Sequence, residues 1–325
     1  MEIRDLTNRK KEWNEFVHHN GGTIFHTYEW SEILEKNYKT SRKLLGFFEH
    51  GELKAAIPLY YHKKGIFTIV SSPLLHSTPY GGFIGEERYV SKAVSHLEEY
   101  LKKVDVINMR TMVSTPDVYS GHGYDVEEKY TYYLPLRGRT EEEIWMSFRG
   151  RCRRAIRKGE KNGVVIRDLR DDDIDRYYEM IEMTYEKWNI PPPLKKQHLI
   201  DVLNTFPREE NVKALVAERD GIVLSGAVFL IYNSVVYYWD GCSDPEYYKY
   251  SPNNLLHWEL IKWALQRGLD TYDMVGANME SIARFKESFS PVLKTYYDVT
   301  KVFNPLAKAG KKLYTYVISR EKRKR

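Results

Sequence analysis

The chain has 325 residues, of which 42% are hydrophobic, and its 50 basic and 45 acidic side chains give a formal net charge of +5. So weak a positive balance argues against a dedicated nucleic-acid-binding protein, and two cysteines exclude a disulfide scaffold or a cysteine-rich metal site. The sequence shows neither a run of ~20 apolar residues nor an apolar leader, so we expect a cytoplasmic protein without a membrane-spanning helix.

The first part of the chain predicts two helices followed by a β-hairpin, a strand, a helix and a strand. Apolar residues at helical spacing mark the helices, and alternating apolar runs on either side of a His-Gly pair mark the hairpin. The predicted elements are helices Asn8–His19 and Thr27–Lys36, strands Lys43–Glu49 and Leu53–Tyr61, strand Ile66–Val70, helix Glu87–Lys103 and strand Val104–Met109.

The second part of the chain predicts the same elements in the same order. They are helices Ile174–Trp188 and Lys195–Phe206, strands Lys213–Glu218 and Ile222–Ile231 around an Asp-Gly turn, strand Val235–Trp239, helix Asn253–Gln266 and strand Asp270–Met274. A repeat of this length indicates two copies of one domain and not a solenoid. We therefore predict one domain over 1–138, with a C-terminal helix at 304–321 packing back on it, and a second over 139–303.

The junction between the copies holds the densest charge of the chain. A helix is predicted to begin at Thr140, with Glu143 at capping-box spacing, and the basic run Arg149–Lys161 follows. If this run is helical, Arg153 and Arg157 stack one turn apart, and such like-charge pairs cost free energy unless an anion is present. We therefore expect these two arginines to bind phosphate, while a solvated helix face is the alternative.

The stretch from Trp239 to Phe289 brings together groups that can bind and transfer an acyl group. Asp240 and Asp273 each end a predicted strand, so they are candidate general bases for an amine proton, with turn capping as the alternative. Ser251, Asn253 and Asn254 open a helix, where they would cap its N-terminus or bind a donor phosphate through its exposed amides. No metal site is expected, because the ten histidines show no metal-ligand spacing.

Four segments, in this order along the chain, resemble the Fem aminoacyltransferase family. They are Thr23–Trp30, Arg153–Val164, Tyr272–Gly276 and Phe285–Phe289. A Ser-Pro pair at Ser251 is shared with a sister group, the BioF-like acyltransferases. The resemblance implies an α/β (α+β) fold of two tandem GNAT-like acyltransferase domains, with mixed sheets flanked by helices and a cleft between the domains.

The resemblance also implies N-acyl transfer from an activated donor to an amine of a cell-envelope precursor, with aminoacyl-tRNA favoured as donor. An acyl-coenzyme A donor with a sugar or amino-acid acceptor is the first alternative, and a non-catalytic binding protein is the second. Either donor would be a co-substrate, with no tightly bound cofactor, and a peripheral membrane contact is compatible with this function. The interval Leu169–Val212 is too short for the coiled-coil arm of many Fem proteins, and Tyr250–Asn254 lacks the glycines of the usual GNAT phosphate loop.

Residue roles also follow from the resemblance. Lys286 would contact the donor phosphate or the developing oxyanion, with a solvated lysine as the alternative. Lys36 would contact the acceptor's diphosphate, in competition with Lys39, Arg42 and Lys43. Tyr185 and Trp188 would lie at the rim of the acceptor cleft.

Overall fold

The chain forms two compact units. The computed structural model describes residues 1–74, 78–112, 116–186 and 190–308. The first unit comprises Met1–Glu128 with Tyr296–Arg325, and the second comprises Lys129–Thr295. The domain boundaries expected from the sequence stay a prediction, and the helix predicted at 304–321 lies, beyond Lys308, outside the described residues.

The described helices and strands follow the predicted order, with five strands, β1, β5, β7, β8 and β13, and the short helix α4 in addition to those predicted. The first part of the chain contains β1 (Glu2–Asp5), α1 (Lys10–His19), α2 (Tyr28–Asn37), β2 (Ser41–Glu49), β3 (Glu52–Lys64), β4 (Phe67–Ser72), β5 (Ile84–Gly85), α3 (Glu87–Tyr100), β6 (Val106–Thr111) and α4 (Asp117–Ser120). The rest contains β7 (Asp125–Pro135), α5 (Glu141–Ser147), α6 (Gly150–Lys161), β8 (Val165–Asp168), α7 (Ile174–Glu186), α8 (Lys196–Thr205), β9 (Val212–Arg219), β10 (Ile222–Tyr232), β11 (Val235–Ser243), α9 (Pro252–Gln266), β12 (Thr271–Asp273), α10 (Glu280–Lys286) and β13 (Val292–Val302).

The two units share one sheet topology. The strand order is β1-β2-β3-β4-β6-β13 in the first unit, with β5 paired to β3, and β8-β9-β10-β11-β12-β7 in the second. In both sheets the fourth and fifth strands, β4 with β6 and β11 with β12, are parallel and their other neighbours antiparallel. The repeat and the mixed sheets predicted from the sequence are therefore confirmed.

The hairpin turns are equivalent in the two units. His50 and Gly51 have φ of 53° and 82°, and Asp220 and Gly221 have φ of 51° and 78°. Two successive residues with positive φ form the tight turn whose twist matches that of the strands it joins, and glycine adopts this conformation without steric cost. The hairpins predicted from these dipeptides are confirmed.

Each unit has its own hydrophobic core. In the second unit, Phe229 of β10, Ile261 of α9 and Ile156 of α6 belong to one buried cluster. Helix α6 packs its narrow apolar face on α9, where a Cβ at Gly159 would lie 3.3 Å from Leu255. This packing fixes the N-terminus of α9 and leaves most of the basic side chains of α6 exposed. None of the described helices is long and apolar enough to cross a bilayer.

An ion pair joins strands β6 and β13 within the first unit. The Arg110 guanidinium on β6 donates two hydrogen bonds, of 2.6 and 2.9 Å, to the Asp298 carboxylate on β13. Replacing Asp298 with Ala leaves a partly buried cation without this carboxylate, so we expect the free energy of unfolding to fall by about 1–2 kcal/mol in urea titrations. Glu99→Ala, which removes an exposed pair with Lys102, is the control and should leave the free energy of unfolding close to that of the wild type. Equal losses in the two variants would contradict the assignment.

Candidate active site

Helix α7, strand β11 and the start of α10 surround an open cavity of about 430 Å³ in the second unit. The residues that line it are Ile181, Thr184, Tyr185, Ile190, Asp240, Gly241, Met279 and Ile282. Among the described residues of this lining, Asp240 is the only carboxylate and most of the rest are apolar. A volume of this size suits a small ligand or the end of a larger one.

A β-bulge aims Asp240 into the cavity. Val228 of β10 pairs with Asp240, but the next residue, Phe229, pairs with Tyr238, so Trp239 is an extra residue in β11. Because side chains alternate between the faces of a strand, one inserted residue reverses the face on which every later side chain lies. Asp240 consequently lies on the α7 side, where its Oδ2 accepts a 2.8 Å hydrogen bond from the Tyr177 hydroxyl.

A glycine in β10 makes room for Tyr177. A Cβ at Gly226 would lie 2.6 Å from two carbons of the Tyr177 ring, which is closer than atoms can pack. With hydrogen at this position, the ring packs against Gly226 and is fully buried. The hydroxyl of Tyr177 is thereby held within hydrogen-bond distance of Asp240.

The environment of Asp240 makes its carboxylate a stronger base than usual. Burial disfavours the charged form and raises the pKa of Asp240 from 3.8 to about 6, while the hydrogen bond from Tyr177 works in the opposite direction. A carboxyl with this pKa is ionised at neutral pH yet close to the pH at which it accepts a proton. It therefore has the properties of a general base.

Tyr238 connects the cavity with Lys286. The Tyr238 hydroxyl lies against the α-carbon of Gly241, because a Cβ there would be 2.0 Å from it. The centre of the same ring lies 5.3 Å from the Lys286 ammonium and 4.7 Å from the centre of the His257 ring, which is nearly perpendicular to it. The wall of the cavity and the surroundings of Lys286 are thus in direct contact.

Lys286 and Asp273 hold a strained turn between β12 and α10. Val275 has φ of +48°, which a β-branched residue rarely adopts and which costs about 1 kcal/mol or more. Asp273 Oδ1 accepts hydrogen bonds from the Val275 amide, at 2.8 Å, and from the Thr131 hydroxyl, at 2.6 Å. The Lys286 ammonium donates to the carbonyl oxygens of Val275 and Gly276. The turn is therefore fixed through both its amide and its carbonyls.

Lys286 is buried, with only 5% of the residue exposed. The alternative interpretation, in which Lys286 is a solvated surface lysine, is therefore wrong. Burial lowers the pKa of Lys286 to about 7, opposed by the charge of Asp273. Nearby, burial and then the charge of Lys286 lower the pKa of His257 to about 3. His257 is therefore neutral, and its Nδ1 lies 2.6 Å from the Tyr272 hydroxyl.

Asp273 is completely buried, whereas Asp240 is partly exposed at the cavity. For Asp273 the capping alternative is confirmed, because its carboxylate accepts the hydrogen bond of the amide two residues on. For Asp240 that alternative is wrong, since the residue lies inside β11 and bonds Tyr177. Their role as general base stays a prediction, and access to the cavity favours Asp240.

The three residues predicted at the start of α9 are placed differently from one another. Ser251 has φ of +56° and its side chain makes no capping hydrogen bond to the described residues of the helix, so its capping alternative is wrong. Asn253 accepts a 2.9 Å hydrogen bond from the Ser243 hydroxyl. Asn254 donates to the sulfur of Cys152 on α6, at 3.8 Å. Both asparagines thus join α9 to its neighbours, and their binding of donor phosphate stays a prediction.

The capping box of Thr140 and Glu143 and the helix over the basic run are confirmed. Arg153 donates a 2.8 Å hydrogen bond to the carbonyl of Met146 at the end of α5. Arg157 lies 5.4 Å from the ring centre of Trp145, also on α5. Both arginines therefore support the packing of α5 on α6, and their phosphate contacts stay a prediction.

The predicted acceptor residues belong to different units of the chain. Tyr185 lines the cavity with Asp240. Lys36 is an exposed residue in the last turn of α2, in the first unit. Its competitor Arg42 is buried against Glu32 and Glu35 and therefore has a structural role. Trp188 lies outside the described residues.

Sequence reasoning missed Tyr177, Tyr238 and His257 as parts of this site. Tyr177 lies 63 residues from its partner Asp240, and no local pattern marks such a contact. Tyr238 directly precedes the bulge, and His257 lies on the buried face of α9 among apolar residues. Only the position of Tyr238 two residues before Asp240 could have drawn attention to it.

Comparison with known proteins places this cavity in a recognised domain. The sequence profile of the acetyltransferase (GNAT) domain matches residues 146–287, which include every described residue of the cavity wall. A lipid II:glycine glycyltransferase of Staphylococcus haemolyticus strain JCSC1435 is 23% identical over 368 aligned residues, covering 86% of this chain and 85% of that protein. The crystal structure of FemX superposes with a TM-score of 0.73 at 15% identity, over 91% of this chain and 97% of that one.

The chain carries a GNAT acyltransferase domain and is similar to Fem-type proteins over most of its length. Its fold is also similar to that of a tandem GNAT protein from the clavulanic acid biosynthesis pathway, with a TM-score of 0.58 at 10% identity, over 94% of this chain and 99% of that one. The acyltransferase domain and the similarity to a glycyltransferase favour an enzyme over the non-catalytic alternative. The described residues contain no cluster of three histidine, cysteine or acidic side chains that could hold a metal ion.

Asp240 is expected to weaken the fold above pH 6. Because its folded-state pKa of about 6 lies above the ordinary 3.8, the folded state binds the proton more tightly than the unfolded state does. Stability due to this group is complete below pH ~4 and is lost as the pH rises through 6. Asp240→Asn keeps an acceptor for Tyr177, so it should raise the free energy of unfolding at pH 8 by up to about 2 kcal/mol.

Thermal unfolding from pH 4 to pH 8 measures this effect. The difference between Asp240→Asn and wild type should vanish near pH 4. Asp220→Asn, which changes an exposed carboxylate in the β9–β10 turn, should follow the wild type throughout. If Asp240→Asn were less stable than the wild type at pH 8, burial would not destabilise the ionised Asp240 carboxylate.

Proposed function

We propose that the chain transfers an aminoacyl group from an aminoacyl-tRNA to a primary amine of a cell-envelope precursor, and that Asp240 accepts the proton that this amine must lose. The observation that carries the proposal is the partly exposed Asp240 carboxylate in an otherwise largely apolar cavity. Similarity to a lipid II:glycine glycyltransferase over 86% of the chain supports the choice of an aminoacyl group and of a cell-envelope precursor as acceptor.

The proposed reaction needs no covalent enzyme intermediate. The acceptor ammonium gives one proton to the Asp240 carboxylate, and the neutral nitrogen attacks the carbonyl carbon of the aminoacyl ester. An N–C bond forms as the C–O bond to the tRNA ribose breaks, and the leaving ribose oxygen takes a second proton from the nitrogen. Asp240 then returns its proton to water, so that charge and atoms balance.

The cavity wall assists the first of these steps. Ile190, Met279 and Ile282 make part of the cavity wall apolar, and a bound acceptor would cover their exposed surface. The desolvation that follows binding lowers the pKa of an ammonium while it raises that of a carboxyl. The pKa of the acceptor ammonium and that of the Asp240 carboxyl approach each other, so proton transfer between them becomes easier. Tyr185 has a raised pKa because of burial and the charge of Asp240, so its hydroxyl stays protonated and can orient the acceptor.

Lys286 and Asp273 act in this proposal by positioning α10. Their hydrogen bonds fix the turn at Val275 and Gly276, and Met279 and Ile282 of the cavity wall follow directly along the chain. A direct contact of Lys286 with the oxyanion or the donor phosphate remains a prediction. Such a contact would require Lys286 to give up its hydrogen bonds to the carbonyl oxygens of Val275 and Gly276.

The basic face of α6 is the proposed contact for the donor phosphates. Arg154, Lys158 and Lys161 are exposed on this helix, while Arg153 is engaged with the end of α5. Phosphate contacts by several cations on one helix face suit a polyanionic donor. An acyl-coenzyme A donor is the alternative, which the Ser251-Pro252 pair at the start of α9 favours.

Removing the proposed base should abolish most of the activity without unfolding the protein. In Asp240→Asn we expect kcat/KM for the acyl-transfer reaction at pH 7.5 to fall roughly a hundredfold or more, the usual contribution of a general base. Asp220→Asn is the matched control and should retain full activity. A variant at Asp240 that keeps more than half of the wild-type rate would contradict the proposal.

The partner of Asp240 gives an independent test through the pH profile. The kcat/KM of the wild type should decline below pH ~6, as the carboxyl becomes protonated. Tyr177→Phe removes the hydrogen bond that lowers the pKa of Asp240, so the acid limb should move upward by about half a unit to one unit. An unchanged or downward-shifted limb would mean that another group controls the profile.

The donor is identified by measuring which activated acyl group is consumed. With a panel of charged tRNAs and acyl-coenzyme A thioesters, each offered with a soluble amine acceptor, we expect turnover of an aminoacyl-tRNA. Asp240→Asn should show no turnover with any donor and so controls for spontaneous hydrolysis. Turnover of a thioester alone would replace the proposed donor but leave the role of Asp240 intact.

A further inference from the structure

Apolar side chains are exposed among lysines at the end of the first unit's sheet where β3 turns into β4. This end of the strands is called the edge below. The β3–β4 hairpin ends in Lys63, Lys64, Gly65 and Ile66, and Ile66 is 84% exposed. Both lysines are also exposed. One exposed aliphatic side chain is ordinary, so Ile66 indicates a contact surface only if further exposed apolar residues lie beside it.

A second exposed aliphatic residue lies at the same edge. Leu306 is 70% exposed, and its amide is held by Asn304, whose side chain in turn binds Asp105. Asp105 also accepts a 2.7 Å hydrogen bond from the amide of Thr68, two residues from the hairpin tip. Asp105 therefore joins the start of β4 and the chain after β13, and it places Ile66 and Leu306 at one edge. These are the two most exposed large hydrophobic residues among those described.

The remaining side chains at this edge add positive charge and an aromatic ring. Lys102 and Lys103 are exposed in the turn that precedes Asp105, and Tyr100, at the end of α3, is 41% exposed. The nearby carboxylates have partners, since Asp105 binds Thr68 and Asn304, and Glu99 pairs with Lys102 in an exposed, weak ion pair. The net charge of the edge is positive.

We propose that this edge, defined by Lys63, Lys64, Ile66, Lys102, Lys103 and Leu306, docks the protein on an anionic lipid bilayer. Lysines attract the protein to negatively charged headgroups, and aliphatic and tyrosine side chains enter the interface below them. Two aliphatic residues and four lysines give reversible and not permanent attachment. Single-stranded or structured RNA would use several stacked aromatic rings beside the cations. The most exposed apolar side chains here, Ile66 and Leu306, are aliphatic and Tyr100 is the one aromatic ring named at this edge, so the lipid surface is favoured.

Vesicle flotation tests the docking surface without requiring the transfer reaction. The full-length protein is mixed with vesicles of equal parts phosphatidylglycerol and phosphatidylcholine, or of phosphatidylcholine alone. We expect binding to the anionic vesicles only, weakened by added salt. Ile66→Ser with Leu306→Ser, and separately Lys63→Gln with Lys64→Gln, should each reduce the partition coefficient on the order of tenfold.

Matched controls come from the second unit. Ile222→Ser replaces an exposed isoleucine beside the β9–β10 turn, and Lys249→Gln with Lys294→Gln removes the same charge as the lysine pair. These variants should bind vesicles like the wild type, and all variants should keep the wild-type melting temperature. Unchanged vesicle binding in the edge variants, or absence of binding by the wild type, would overturn the proposal. Loss of tRNA binding in those variants, without vesicle binding by the wild type, would assign the edge to nucleic acid instead.

The docking surface and the proposed function are tested separately. Turnover with a soluble amine acceptor should be unchanged in the edge variants, because none of their residues belongs to the Asp240 cavity. A protein that floats with vesicles but transfers no acyl group would retain the docking surface and lose the proposed function.

Discussion

The cost of desolvating one carboxylate is the constraint on which the candidate site in this acyltransferase domain depends. Asp240 lies beside an open but largely apolar cavity, where burial raises its pKa to about 6. Full exposure would leave a weak base with an ordinary pKa, and burial without a hydrogen bond would neutralise the group. The Tyr177 hydroxyl and the adjoining cavity give an intermediate case, in which the carboxylate is ionised at neutral pH and still basic enough to accept a proton.

Several packing features of the second unit keep the Asp240 carboxylate in this partly buried, hydrogen-bonded environment. The bulge at Trp239 turns Asp240 toward α7, and Gly226 lets the ring of Tyr177 reach it. On the other side of Tyr238, Lys286 holds a strained turn and with it the start of α10. Two buried ionisable groups with shifted pKa values, connected through one tyrosine ring, are more typical of a catalytic site than of a structural core.

Local patterns predicted much of the fold, because the hairpin turns and the amphipathic helices depend on neighbouring residues. The dipeptides at Gly51 and Gly221 marked both hairpins, and the repeat followed from them. The sequence did not reveal β7 and β13, whose places depend on pairing with strands far along the chain. Asp240 was found from its position near a strand end, but its hydrogen bond with Tyr177 depends on tertiary packing that no local pattern contains.

The pKa of Asp240 tests the central claim most directly. It can be measured by carbon-13 NMR titration of the side-chain carboxyl in protein labelled at aspartate, with Asp240→Asn to assign the resonance. We predict a midpoint near 6 in the folded wild type. A midpoint at or below the ordinary value of 3.8 would show that the carboxylate is well solvated, and it would contradict its role as the base of the reaction.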